Sequence, residues 1–206
     1  MRISPLLFAV ITPLVLQAQA PATLRVLTDT PAPDSAVSHV TMPPGWHVTT
    51  GPAALLFDPA NAAQGRFALE AEIFLFPGTS QEGYGVFVGG SLSDGTAGAF
   101  VAFLVRRDGS ALVEQRSGGR TTAIVAPFST TAVKPHPGEG TARNVLRVSV
   151  EPDSIRFDAN GARVTAIGRG DLPLDGLFGF RVGRDLNLHI SQLDVTRRLA
   201  PAAPKR

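Results

Sequence analysis

The sequence predicts an all-β protein, a two-sheet antiparallel β-sandwich of the jelly-roll kind. Three observations carry this. Apolar residues recur with period two in one short run after another, and Gly, Pro, Asn and Asp separate the runs. No stretch shows the apolar spacing of an amphipathic helix. The chain has 21 Gly and 17 Pro among 206 residues, enough to supply a turn between each pair of short strands.

The ends stand apart from this pattern. Arg2, the apolar stretches 6–11 and 14–16, and Ala18-Gln19-Ala20 read as a secretory signal peptide over 1–20, cut before Pro21. The apolar stretch is too short to span ~30 Å of hydrocarbon, and Pro5 and Pro13 interrupt it. Export to the periplasm or the medium is therefore expected, with no membrane span after cleavage. Residues 21–40 read as a linker or edge segment with a short strand at 24–27, and 199–206 as a disordered tail. The domain is expected over 41–198.

Within it, the odd positions of 67–75 are apolar and Glu70 and Glu72 face away, as on a strand with one solvated face. Residues 84–88 form a second run. Residues 100–107 form a third, apolar on both faces until Arg106, which predicts a central strand. Asp108-Gly109 turns the chain into 111–116, and 121–125 continues the sheet. The clearest stretch is 144–167. Leu146, Val148 and Val150 alternate with polar residues, 151–154 turns, and Ile155, Phe157 and Ala159 alternate again. Asn160-Gly161 suits a type I′ hairpin, and 164–167 returns. Phe178, Phe180 and Val182, then Leu188 and Ile190, repeat the pattern. Its phase slips at Ser191-Gln192, which predicts a β-bulge.

Composition excludes several functions. Cysteine is absent, so an exported chain must be held by its apolar core, and thiol chemistry and cysteine metal sites are ruled out. Formal net charge is only +2, and the isoelectric point near 9.7 reflects arginine in place of lysine. No basic run is present, so nucleic acid is not an expected partner.

The run from Asn144 to Val150, continued by Asp153 to Gly161, resembles the N-x-L-x-V … I-x-F-x-x-N-G meander of concanavalin A-like domains. Gly45-Trp46-His47-Val48, Gly51 and the strand opening at Phe67 resemble the start of such domains. Gly176-Leu177-Phe178-Gly179-Phe180-Arg181-Val182-Gly183, followed by 188–195, resembles their end. The resemblance covers roughly 40–197 and includes laminin G-like and 3-keto-disaccharide hydrolase-like domains. It implies a glycan-related role and a carbohydrate or cell-surface protein as partner. Many relatives hold calcium in loops. Here Asp58, Asp94, Asp171, Asp175 and Asp185 are loop acids without a D-x-D ladder, so no cofactor is expected and calcium alone stays open.

The chemistry of hydrolysis is largely missing. Retaining glucanases of this group carry E-x-D-x-x-E on one strand, pairing a nucleophile with an acid. The nearest string runs from Glu70 through Glu72 to Leu75, so the last acid is absent. None of the four histidines, His39, His47, His136 and His189, has metal-motif spacing. Arg169-Gly170-Asp171 reads as a chance tripeptide. Sugar binding needs a ring platform with planar polar groups beside it. The candidates are Trp46, Tyr84 and His189, with Arg106, Glu114, Arg116 and Arg181 on one sheet face by alternation. Trp46 suits a core plug or edge pack better than a platform, and the His189 face suits a solvated exterior better than a binding face. Three functions stay open in descending order: a binding module, a structural accessory domain, and a sugar-processing hydrolase or lyase.

Overall fold

The computed structural model describes residues 24–93 and 95–197. The expected signal peptide, the tail at 199–206 and the loop acid Asp94 lie outside the described residues. The first strands are β1 (Arg25–Thr28), β2 (Val37–Thr41), β3 (Trp46–Thr50), β4 (Ala54–Phe57), β5 (Ala62–Ala63) and β6 (Phe67–Leu75). Then come β7 (Tyr84–Gly90), β8 (Leu92–Ser93), β9 (Thr96–Ala97), β10 (Phe100–Val105), β11 (Ser110–Ser117) and β12 (Arg120–Ser129). The chain closes with β13 (Ala142–Val150), β14 (Ser154–Ala159), β15 (Ala162–Gly168), β16 (Gly176–Val182) and β17 (Asn187–Arg197). One 3₁₀ turn, Asp34–Ala36, lies between β1 and β2.

Two antiparallel sheets stack face to face. The first has the order β1-β4-β16-β7-β10-β11-β12, with β5 also on β16, and the second β15-β14-β13-β6-β17-β3-β2. The segment expected as linker or edge thus supplies, over its described part, an edge strand to each sheet.

Local rules place these strands well. β13, β14 and β15 form the meander, with Val148 opposite Phe157 and Ser149 opposite Arg156. Its hairpin turns on Asn160 and Gly161, at φ 52 and 82. A type I′ turn demands positive φ at both positions, which this pair meets at least cost. The phase slip at Ser191 is a register shift between Ile190 and Gln192 on β6. β10 lies inside its sheet and is buried along its whole length.

The core fills the space between the sheets, where Leu146, Phe157, Phe180 and Ile190 are all at most 1% exposed. Phe103 of the first sheet meets Phe157 of the second with ring centres 5.3 Å apart. Truncating Phe157 to alanine leaves a void that strands on both sides cannot close. It is expected to cost about 3–5 kcal/mol in urea denaturation.

One polar network crosses this core. Asn144, fully buried, donates to the Tyr84 hydroxyl at 3.3 Å and to the Lys134 carbonyl at 3.0 Å. Its own oxygen accepts from the Lys134 N–H and from Asn160. The network ties the 130–135 loop to the meander. Burial pushes the Tyr84 hydroxyl up to about 12, against the opposing pull of Asn144 and Arg107. A group raised in the fold adds stability that is whole below its unfolded value, near 10, and is lost as pH rises to about 12. Tyr84 is the chain's one tyrosine. Its ultraviolet ionisation is therefore a single-site reading, expected to fall at the unfolding transition or near pH 12. Tyr84→Phe should cost under about 1 kcal/mol at pH 7 and remove that part of the alkaline loss.

Candidate functional site

The outward face of the first sheet departs from simple alternation. β4 and β10 are apolar on both faces, so a second apolar cluster forms outside the main core. It comprises Leu55, Phe57, Phe87, Phe100, Ala102, Leu104 and Leu112, all buried. Leu27, Ala97 and Leu177 flank it, half-buried. Gly179 sits opposite Phe87, and a side chain there would strike the Leu56 carbonyl and Phe57. Its lack of one lets Phe57 and Phe87 meet edge to face at 6.3 Å.

Arg181 lies in the middle of this face. The ladder register sets it between Leu55 and Gly85, while Glu114 lies opposite Ala102 two strands further on. The small residues Gly85 and Ala102 leave room for the two long side chains to meet. Arg181 donates from Nε to Glu114 at 3.2 Å, and from both terminal nitrogens to Asp29 at 2.9 and 2.6 Å. Its guanidinium also lies 5.8 Å from the centre of the Phe100 ring. Burial works against this charge, yet Asp29 and Glu114 together hold it above even the ordinary arginine value. Burial likewise pushes the Glu114 carboxyl up. Arg181 opposes that shift, and the like charges of Asp29 and Glu82 add to it.

Beside this ion pair, at the end of the sheet where the chain leaves β10, a polar cleft of about 480 Å³ opens. Ser80, Gln81, Glu82, Arg106, Arg184 and Asp185 line it. Two loops about a hundred residues apart build it, and their bonds fix them together. Arg107 holds the first loop through the Phe76 and Ser80 carbonyls, at 3.0 and 3.3 Å. Ser80 donates from its hydroxyl to the Arg184 carbonyl at 2.6 Å, and Gly183 from its N–H to Gly83 at 2.9 Å. Glu82 and Arg184 pair at 3.7 Å. Arg106 follows β10 in the outward phase, and its buried Nε has no hydrogen-bond partner among the described residues.

The seven residues singled out from the sequence therefore divide. Arg106, Glu114, Arg116 and Arg181 share the outward face of the first sheet. Of these, Arg181 and Glu114 touch each other, Arg106 lines the cleft, and Arg116 bonds Ala97 and Thr121 at the other end. Trp46 and His189 belong to the second sheet. Trp46 packs half-buried against the core, and His189 faces outward. Tyr84 needs a correction. It is 0% exposed between the sheets and presents no surface to a ligand, because its strand turns that phase inward. Glu70 and Glu72 are not merely solvated either. Arg147 stands opposite Glu70 and pairs with it at 2.9 Å, and Arg143 pairs with Glu72. The Arg169 guanidinium of the tripeptide is bound to Gly65, Glu151 and Asp175. Sequence reasoning missed Asp29, Ser80, Gln81, Glu82 and Arg184. The one signal available was two polar loops, each adjoining a core strand.

The sequence matches no protein-family model and no curated protein. Solved structures do match. The carbohydrate binding module CBM66 from Bacillus subtilis superposes with a TM-score of 0.64 at 13% identity, over 84% of this chain and 95% of that one. A Bacillus subtilis protein of unknown function with a galectin-like fold gives 0.64 at 11% identity, over 85% and 89%. A Bacteroides ovatus mixed-linkage glucan GH16 protein, in complex with its G4G4G3G product, gives 0.56 at 8% identity, over 80% and 86%. Identities this low show a shared β-sandwich fold, and fold alone does not carry function.

The Glu114 shift has a checkable consequence. Its contribution to stability is whole below the ordinary carboxylate range and is lost as pH rises through the elevated folded value. The stability of the protein relative to Glu114→Gln should therefore rise as pH is lowered from 7 toward 4.5, read by urea denaturation of both. A constant difference would show that Glu114 titrates normally.

Proposed function

We propose that this protein is an exported, non-catalytic carbohydrate-binding domain, which holds a glycan in the polar cleft beside Arg181. The carrying observation is the lining of that cleft. Gln81, Glu82, Arg106, Arg184 and Asp185 set planar amide, carboxylate and guanidinium groups of both signs around one another. Planar groups of this kind accept from and donate to neighbouring hydroxyls on a sugar ring. Two carboxylates and two guanidiniums balance, so a neutral sugar suits the cleft better than an acidic one. The fold neighbours include a carbohydrate binding module and a glucan-processing protein, which supports the class of ligand. Export rests on the pattern of residues 1–20, and places the site where extracellular or periplasmic glycans occur.

The alternative is a sugar-processing enzyme of the 3-keto-disaccharide hydrolase-like type, the finer resemblance of the meander. Acid–base hydrolysis needs two carboxyl groups free to exchange protons across a bond. Asp29 and Glu114 are both engaged by Arg181, and Glu70 and Glu72 by Arg147 and Arg143. These commitments take four carboxylates outside the cleft away from acid–base chemistry, and within the cleft Glu82 pairs with Arg184 at 3.7 Å, which favours binding over turnover.

The double substitution Glu82→Gln with Arg106→Ala removes one charge-assisted partner from each side of the cleft. Each such bond is worth roughly 1.5–3 kcal/mol. The tightest neutral oligosaccharide found on a glycan array should bind this variant at least about tenfold more weakly by isothermal titration. Unchanged affinity would remove the cleft from the site.

A further inference from the structure

The outward face of the second sheet carries a groove separate from the polar cleft. Ladder register sets Phe74 of β6, His189 of β17 and His47 of β3 side by side across three strands. The Phe74 and His189 ring centres are 6.0 Å apart, and Phe76 stands edge-on to His47 at 5.1 Å. Of these rings, Phe74, Phe76 and His189 line the groove and make its floor. The turn over 42–45 makes a wall, closed by the Met42 N–H donating to the Gly45 carbonyl at 2.9 Å.

Two local departures from regular structure build this place. Gly45 sits at φ +99, where a Cβ would come within 1.8 Å of the Ile190 carbonyl oxygen. Only glycine lets the turn press so closely on β17. At that contact the ladder shifts register between Ile190 and Gln192. A bulge redirects the side chain beside it, and here Ser191 donates its hydroxyl to Glu72 Oε1 at 2.6 Å. The other Glu72 oxygen pairs with Arg143. The Ser191 bond holds the Glu72 carboxyl below its ordinary value against burial, with Arg143 and His189 acting the same way. The resulting groove encloses about 520 Å³ and is mostly apolar, with Glu72, Ser191 and Thr141 as its polar lining.

This combination selects for one kind of molecule. A flat apolar floor suits the C–H face of a sugar ring, as aromatic surfaces do in general. Arg143 already balances the Glu72 carboxylate, so a charged ligand gains little there, while hydroxyls find both acceptors and donors. We infer that the groove is a second carbohydrate site, which seats a neutral pyranose on Phe74 and His189 with its hydroxyls toward Glu72 and Ser191. The class of ligand rests on the proposed function, but the site does not share a residue with the cleft. The cleft lies at the end of the first sheet and the groove on the outward face of the second, so one domain engages two glycan chains. Avidity for a multivalent polysaccharide then exceeds the affinity of either site.

The test uses an array of neutral and uronic-acid oligosaccharides, then isothermal titration of the tightest neutral one. The purified protein is compared with three variants: Phe74→Ala with His189→Ala for the floor, Ser191→Ala for the polar end, and the Glu82→Gln with Arg106→Ala cleft variant. Thermal melting confirms that each is folded. Ser191→Ala leaves the floor intact should the floor variant fail to fold. The expected result is two sugars bound per chain, falling to one in the floor variant and in the cleft variant, with Ser191→Ala weakening one of the two by about tenfold. If the folded floor variant and Ser191→Ala both bind as the parent does while the cleft variant loses binding, the groove is overturned and the proposed function stands. Loss confined to the groove variants supports the groove and overturns the cleft. Binding of no neutral sugar by the parent overturns both.

Discussion

Burial of one face of each sheet against the other is the constraint from which the rest follows. No cysteine is present, so no cross-link shares this burden. The sheets are held by interleaved side chains such as Phe103 on Phe157, within a core that includes Leu69, Leu146 and Ile190. At roughly 25 cal/mol per Å² of apolar area, an extended interface of this kind is the main force keeping the layers together. It also fixes register, because a slip of one residue would turn every inward side chain out. The outward residues of the strands keep their side because the inward ones are packed against the opposite sheet.

The two outward faces solve different problems. On the first sheet, strands apolar on both sides bring a second cluster of Phe and Leu, and a buried guanidinium crosses it. A lone charge there would be costly, and Asp29 and Glu114 make it tolerable by taking up its donors. The pair serves to organise the sheet, while the accessible polar groups gather at its end, on loops. On the second sheet, cross-strand arginines neutralise Glu70 and Glu72, which leaves rings in register as the remaining feature. Loops and a bulge, where the ladder relaxes, are where polar groups become available on both faces.

Much of the scaffold was legible in the chain. The meander from Asn144 to Ile167 follows from alternation and from one Asn-Gly turn, since each strand there pairs with its sequence neighbour. The bulge at Ser191 showed as a slip in phase. The central place of β10 followed from its apolar residues on both faces. The candidate site was legible in part. Arg106, Glu114, Arg116 and Arg181 were rightly placed on one face, because alternation gives the side of a strand. Alternation does not say which sheet face is open, so Tyr84 appeared among the candidates although it points inward.

What the sequence by itself determined is the all-β class, most strand positions and the side on which each residue lies, because these depend on neighbours a few residues apart. What only the tertiary structure decided is which distant residues meet. Asp29 and Arg181 are 152 positions apart, and Ser191 and Glu72 are 119 apart. Strand order across the two sheets brings them together, and no local spacing encodes that order. The division has a physical cause: φ and ψ preferences and side-chain periodicity act along the chain, while ion pairs, clefts and ring rows form between segments that only the packed sandwich makes adjacent.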